Sequence, residues 1–177
     1  MNILHLAAGE LGGGAAKGSY LLHQAQREIG LNSQLVITGR DSYGDKSITA
    51  LSSGSQYKLF ELAFRAFIGN LPVSCYRNRE RKIFNTGFAG IDFTQLPAYK
   101  NADVIHFHWI NGFVAISSMR KVKKPTVWTI RDMWPLTGGC HYSMNCKRYT
   151  NSCGKCPQLQ STLSCDLSRL VVMTKRK

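Results

Sequence analysis

The chain has 177 residues, 44% apolar and 19% charged, which suits one globular domain with a real core and excludes a disordered composition. Its formal net charge is +13, from 23 Lys and Arg against 10 Asp and Glu. Such a field draws anions, whether nucleic acid, acidic lipid or phosphorylated small molecules, and does not choose among them; a merely solvated basic surface is the plain alternative.

The first residues, MNILHLAAGELGGG, lack the basic and long apolar regions of a secretory signal. No apolar run approaches the roughly 20 residues that span a bilayer, so a cytoplasmic location is expected. NILHLAA (residues 2–8) reads as a buried strand, and residues 15–29 carry apolar positions at helical spacing until Gly30 stops them. SQLVITG (33–39) is a second strand, and SITAL a short third. Strand, glycine turn, helix and strand make a βαβ unit, which predicts an α/β fold: a Rossmann-like parallel sheet flanked by helices. Residues 55–71 read as a Phe-rich helix ending near Gly69 and Pro72, followed by the basic stretch CYRNRERK. ADVIHFHWI (102–110) is a further strand, NGFVAISSMRKV its crossover helix, and KPTVWTI (124–130) the next strand. Residues 131 to about 160 are irregular, with a Cys-rich insertion at about 138–160, and DLSRLVVMTKRK starts an amphipathic element.

In an open parallel sheet, ligands sit outside the carboxyl ends of the strands. Three candidate sites follow predicted strands. Gly12, Gly13 and Gly14 lack Cβ atoms, so their N–H groups can approach a phosphate or sugar hydroxyl beside a helix N-terminus. A plain turn stays open. The dinucleotide fingerprint fails at Lys17, where a third glycine is required, and no acidic residue follows the second strand in the expected way, although Asp41 is close. His106 and His108 share one side of their strand and can bind a metal, act as a base, bond a hydroxyl, or simply be satisfied core residues. Arg131, Asp132 and Trp134 follow the last strand. An Arg fork suits phosphate or carboxylate, and Asp132 either orients a sugar hydroxyl or pairs with Arg131.

Cys140, Cys146, Cys153 and Cys156 fall within 17 residues as C-x5-C-x6-C-x2-C. The CGKC pair has the spacing that lets two thiolates grip one tetrahedral ion, and structural zinc is the reading taken here; a redox pair and unpaired thiols are the alternatives. Along the Phe-rich helix, Leu59, Phe60, Ala63, Phe64 and Phe67 fall on one side. Core packing is the plain reading. The other is a surface resting on an anionic membrane, with Arg77, Arg79, Arg81 and Lys82 reaching lipid phosphates. A zinc-stabilised basic nucleic-acid-binding module is the alternative function. Against it, the cysteine loop interrupts a βα pattern and no RNA-binding signature is present.

The stretches ILHLAAGELGGGAAKGSYLLHQA, ADVIHFHWING, KPTVWTIRDMWPLTGGCHYSMNC and CGKCPQL resemble the N-terminal half of family 4 glycosyltransferases, nearest to the bacterial colanic-acid and exopolysaccharide type. The likeness runs from the first residues to DLSR, and its most specific part is DMWPLTGGCHY with the cysteines after it. The resemblance implies a GT-B enzyme in which two Rossmann-like domains face across a cleft. The N-terminal half binds a glycan or lipid-linked acceptor and the C-terminal half binds the nucleotide sugar. Catalysis is expected to be metal-independent and to retain anomeric configuration. His108, Arg131 and Asp132 are then expected in catalysis, and Gly12, Gly13, Gly14, His106, Trp109 and Trp134 at the acceptor. The family often has His where Arg131 stands; Arg is no base at neutral pH, though it binds phosphate or hydroxyl. The resemblance also implies that the C-terminal donor-binding domain is absent from residues 1–177, to be supplied by a partner chain or a missing domain. The chain alone is then inactive, with no nucleic-acid partner, at the inner face of the membrane.

Overall fold

The computed structural model describes residues 1–11, 13–41, 44–53 and 56–176. Five strands, β1 (Asn2–Ala7), β2 (Asn32–Ile37), β3 (Ile48–Ala50), β4 (Val104–Phe107) and β5 (Thr126–Trp128), form one sheet in the order β3-β2-β1-β4-β5. Every pairing is parallel; β1 registers Ile3 with Asn32's neighbour Ser33 on one side and with Val104 on the other. The helices are α1 (Gly14–Glu28), α2 (Gln56–Ser74), α3 (Pro97–Asn101), α4 (Ile116–Met119) and α5 (Leu167–Lys175). The α/β, Rossmann-like sheet flanked by helices is as the sequence predicts.

Alternation along β1 sets the two layers. Leu4 and Leu6 enter a core with Ile105, Phe107, Phe93 and Phe113, whereas Ala7 joins Leu11, Tyr20, Leu35 and Ile37 on the α1 side. A parallel sheet covered on both faces needs apolar residues on both, which is why NILHLA reads as a nearly continuous apolar run. Gly30, at φ +83°, takes the left-handed position after α1 and stops it, as its place in the sequence predicts.

Two elements differ from expectation. The crossover between β4 and β5 holds only the four-residue α4. Backbone pairing replaces the longer helix: Ile91 donates to Phe113 O at 2.7 Å, and Ile91 and Val114 form a parallel bridge. A Cβ on Gly90 would lie 2.5 Å from Ala115 N, so that close approach requires glycine. Helix α2 passes Gly69 and carries Pro72 inside its last turns. Gly69 serves packing rather than termination, because a Cβ there would meet Ala89 Cβ at 2.8 Å.

Candidate functional site

After β1 the chain builds β2 and β3 to one side, and β4 and β5 fall on the other. The carboxyl ends of β1 and β4 therefore diverge, and a crevice opens between them, as at the switch point of other open α/β sheets. It is a cleft of about 530 Å³ lined by Gly9, Gly13, Gly14, Trp109, Arg131, Asp132, His141 and Tyr142, among others. All three predicted site loops contribute. Ala8 N–H donates to Trp109 O at 2.6 Å, tying the first two together.

Gly12 lies outside the described residues. Gly13 is the N-cap of α1 and offers no side-chain cap, and the first turn holds no acidic residue. A Cβ on Gly14 would meet nothing within 4 Å. Packing within the protein thus does not demand glycine at Gly14; the space before it is open cleft. The N–H groups of that first turn carry the helix's partial positive charge towards it.

Asp132 is the hub of the opposite wall. Its Oδ2 accepts from Trp109 Nε1–H at 2.6 Å and from His141 Nδ1–H at 2.5 Å, and its Oδ1 accepts from Trp134 N–H at 2.8 Å. The Asp132 and His141 side chains are 7% and 2% exposed. Burial pushes the His141 pKa below its ordinary value, so the ring is neutral at neutral pH. A carboxylate only accepts, which assigns the proton to Nδ1 and leaves a lone pair on Nε2. That Nε2 is buried and has no hydrogen-bond partner among the described residues. His141 escaped the sequence reading; its one signal was its place in GGCHY, two residues after a loop glycine pair.

Arg131 does not pair with Asp132. Among the described residues, the Asp132 carboxylate is engaged by Trp109, Trp134 and the neutral His141 ring. The Arg131 guanidinium instead lies over α1, where a Cβ on Gly18 would stand 2.7 Å from both Nη atoms. Gly18 is the seat of Arg131. A glycine inside a helix signals such a close approach, and the sequence reading passed over it.

His106 and His108 do share a face, with ring centroids 4.3 Å apart. That face is covered by α1, and neither residue lines the cleft. His5 Nδ1 bonds His108 Nε2 at 2.9 Å, His5 Nε2 bonds Gln26 of α1 at 2.7 Å, and His106 Nε2 bonds Thr129 at 2.8 Å. His108 is 1% exposed, so contact with a ligand would require displacing the helix. Burial lowers the pKa of His5 to about 4 and of His108 to about 3, which keeps the column uncharged. The structure sets His108, expected in catalysis, and His106, expected at the acceptor, behind the cleft wall rather than on it. Trp134 is also withdrawn, 3% exposed, with Nε1–H on Asn85 O at 2.8 Å. Trp109 remains on the wall.

Cys140, Cys146, Cys153 and Cys156 converge on one small cavity, whereas Cys75 and Cys165 are exposed. On α2, Phe60, Phe64 and Phe67 are 69%, 53% and 62% exposed, which corrects the core-packing reading; the side chains of Leu59 and Ala63 lie outside the described residues. No described helix is long and apolar enough to cross a membrane.

Among curated proteins, the chain is similar to the one named "Putative colanic acid biosynthesis glycosyl transferase WcaC" of Escherichia coli K12, at 29% identity over 196 aligned positions. The match covers 100% of this chain and 45% of that protein, so the chain spans less than half the length of this relative. No family profile and no solved structure matches. The likeness supports a glycosyltransferase relationship and does not favour a nucleic-acid-binding module.

Proposed function

We propose that the chain is the acceptor-side half of a family 4, GT-B type glycosyltransferase that moves a sugar from a nucleotide-sugar donor to a glycan or lipid-linked acceptor in surface polysaccharide synthesis. The observation that carries this reading is the cleft at the divergence of β1 and β4, where the α1 N-terminus, Arg131 and the Asp132–His141 pair converge. Similarity along the whole of this chain to 45% of a named glycosyl transferase supports the same reading. On it, Arg131 and the first-turn amides of α1 offer positive potential to phosphate as the leaving diphosphate gains charge. Trp109 offers an apolar wall to a sugar ring, and its N–H is held by Asp132. His141 Nε2, neutral and unpartnered, is the acceptor for a substrate hydroxyl, with Asp132 fixing its tautomer. The facing wall comes from a donor-binding domain or partner chain, so this chain alone turns nothing over.

A peripheral membrane contact belongs to the same reading. Phe60, Phe64, Phe67, Ile68 and Leu71 form an exposed apolar stripe on α2, and Arg77, Arg79, Arg81 and Lys82 follow it. An apolar stripe beside clustered cations suits an anionic lipid surface, which is where a lipid-linked acceptor would lie.

The experiment is thermal stabilisation of the purified chain by nucleotide sugars, by polysaccharide-derived glycans and by polyprenyl-phosphate acceptors. Stabilisation by acceptors and none by donors is expected, because a ligand of the folded state raises stability with its concentration over Kd. A shift with one nucleotide sugar would place the donor site on this chain and overturn the division into halves.

A further inference from the structure

The loop of residues 138–160 turns four thiols towards one space. Cys140, Cys146, Cys153 and Cys156 all line one small cavity of about 20 Å³. That holds one water-sized body and no organic ligand. All four cysteines are free of disulfides.

The backbone around the cavity is built to face it. Cys153, Gly154 and Lys155 are successive left-handed residues, at φ 57°, 85° and 46°. Two of them are not glycine, a conformation held only where surrounding contacts impose it. A Cβ on Gly154 would collide with Ser164 O. The turn is anchored to α5, since Cys156 N–H donates to Asp166 Oδ2 at 2.8 Å and Gly154 N–H to Ser168 Oγ at 3.0 Å.

A buried lysine stands near the thiols, its pKa pushed by burial down to about 7. Lys175 Nζ is buried over the Trp134 ring, 3.6 Å from its centroid, and donates to the carbonyls of Trp134 and Thr137. Among the described residues no carboxylate pairs with it, and the ionisable groups that act on it are Cys140, Cys153 and Asp132. Arg148 lines the cavity as well. An ammonium held there by carbonyls and a ring still lacks a counter-charge, and an anionic centre at the four sulfurs would supply one.

We propose that Cys140, Cys146, Cys153 and Cys156 form a tetrahedral four-thiolate site for one structural zinc ion, which fixes the loop behind the cleft. Each thiol releases its proton to solvent as its sulfur bonds the ion, with no change of oxidation state. The resulting centre carries two negative charges, offset by Lys175 and Arg148. Four sulfurs leave no open position, so the ion takes no part in chemistry. His5, His106 and His108 are the one set among the described residues whose ligand atoms lie within 4.8 Å of one another. They are a poorer site, because His5 is engaged at both nitrogens by His108 and Gln26, and His106 by Thr129. No three of the four sulfurs lie within 4.8 Å of one another, so binding requires them to draw together towards the about 3.8 Å of a tetrahedral zinc–thiolate set.

The test is elemental analysis of the full chain after zinc loading and dialysis, with cobalt(II) as a spectroscopic replacement. One zinc per chain and the visible and charge-transfer bands of tetrahedral cobalt bound by thiolates are expected. Cys153→Ser and Cys156→Ser lose the ion, whereas Cys165→Ser and His106→Gln keep it. Wild-type stoichiometry and the cobalt spectrum decide even if the cysteine variants fail to fold. No retained zinc, a cobalt spectrum without thiolate bands, or zinc kept by Cys156→Ser overturns the proposal. None of these outcomes depends on whether the chain transfers sugar.

Discussion

Gly18 and Arg131 illustrate how a side chain is aimed by what is missing opposite it. The guanidinium occupies the volume that a Cβ on Gly18 would take, and the obstructing atoms are the far end of a flexible side chain. Gly18→Ala should therefore leave the fold intact and even gain about 0.5–1 kcal/mol of helix propensity, while pushing Arg131 out of place. The check is a thermal melt alongside phosphate-ligand binding: unchanged or raised Tm with weakened binding is expected, and a large fall in Tm would mean that the seat is structural. Asp132 carries the opposite expectation. It accepts three hydrogen bonds at 2.5–2.8 Å from a nearly buried position. Asp132→Asn replaces a charged acceptor with an amide and should cost about 2–3 kcal/mol in urea unfolding. A change below a few tenths would show that the His141 tautomer is not set by this carboxylate. Arg131, Asp132 and Trp109 were legible in the sequence because each directly follows a strand. His141 was not, because the turn that brings it back to Asp132 has no periodic pattern.

At the scale of elements, β1 and β4 share a column of neutral imidazoles under α1. His5 and His108, held at about 4 and about 3, stay unprotonated in the folded chain, whereas the unfolded chain binds their protons near the ordinary 6.5. The stability they allow is complete above about pH 6.5 and is lost as pH falls from there towards 4 and 3. The slope reaches at most about 1.4 kcal/mol per pH unit for each proton. Urea midpoints between pH 7.5 and pH 4 should fall accordingly, and His5→Gln should flatten the curve; a flat wild-type profile would refute the assignment. Reading i and i+2 on one strand placed His106 and His108 together correctly. It could not tell which face α1 covers, because that depends on a crossover whose hand and packing are tertiary. Helix α2 gives a second prediction at this scale. Phe60→Ser, Phe64→Ser and Phe67→Ser together remove exposed rings, so Tm should hold within a few degrees. Binding to vesicles containing anionic lipid should fall at least tenfold; undiminished binding would remove α2 from the membrane contact.

The whole molecule was legible to the extent that its order follows local pattern. Strand, glycine loop, helix and strand dictated the parallel sheet, and Gly30 marked its helix stop. The expected crossover helix failed because residues 87–91 and 113–116 pair through the backbone, a long-range contact with no local signature. The exposed Phe stripe failed for the converse reason: amphipathicity announces a face and not what covers it. With its +13 charge, the molecule as a whole should respond to ionic strength. Association with anionic vesicles should weaken steeply between about 50 and 200 mM salt as screening shortens, measurable by sedimentation, and salt-independent binding would assign the contact to the apolar stripe alone.

The order β3-β2-β1-β4-β5 also has a consequence for how the chain is born. β1, β2 and β3 are local and can assemble as soon as they emerge, but the far edge of β1 waits for β4, and His5 meets His108 across 103 positions. At roughly 5–20 residues per second, translation leaves that apolar edge open for about 5–20 s. An unpaired strand edge is a template for any other strand in reach. The division that opens the cleft in the finished molecule is thus, on the ribosome, the interval in which the nascent chain is most exposed to mispairing.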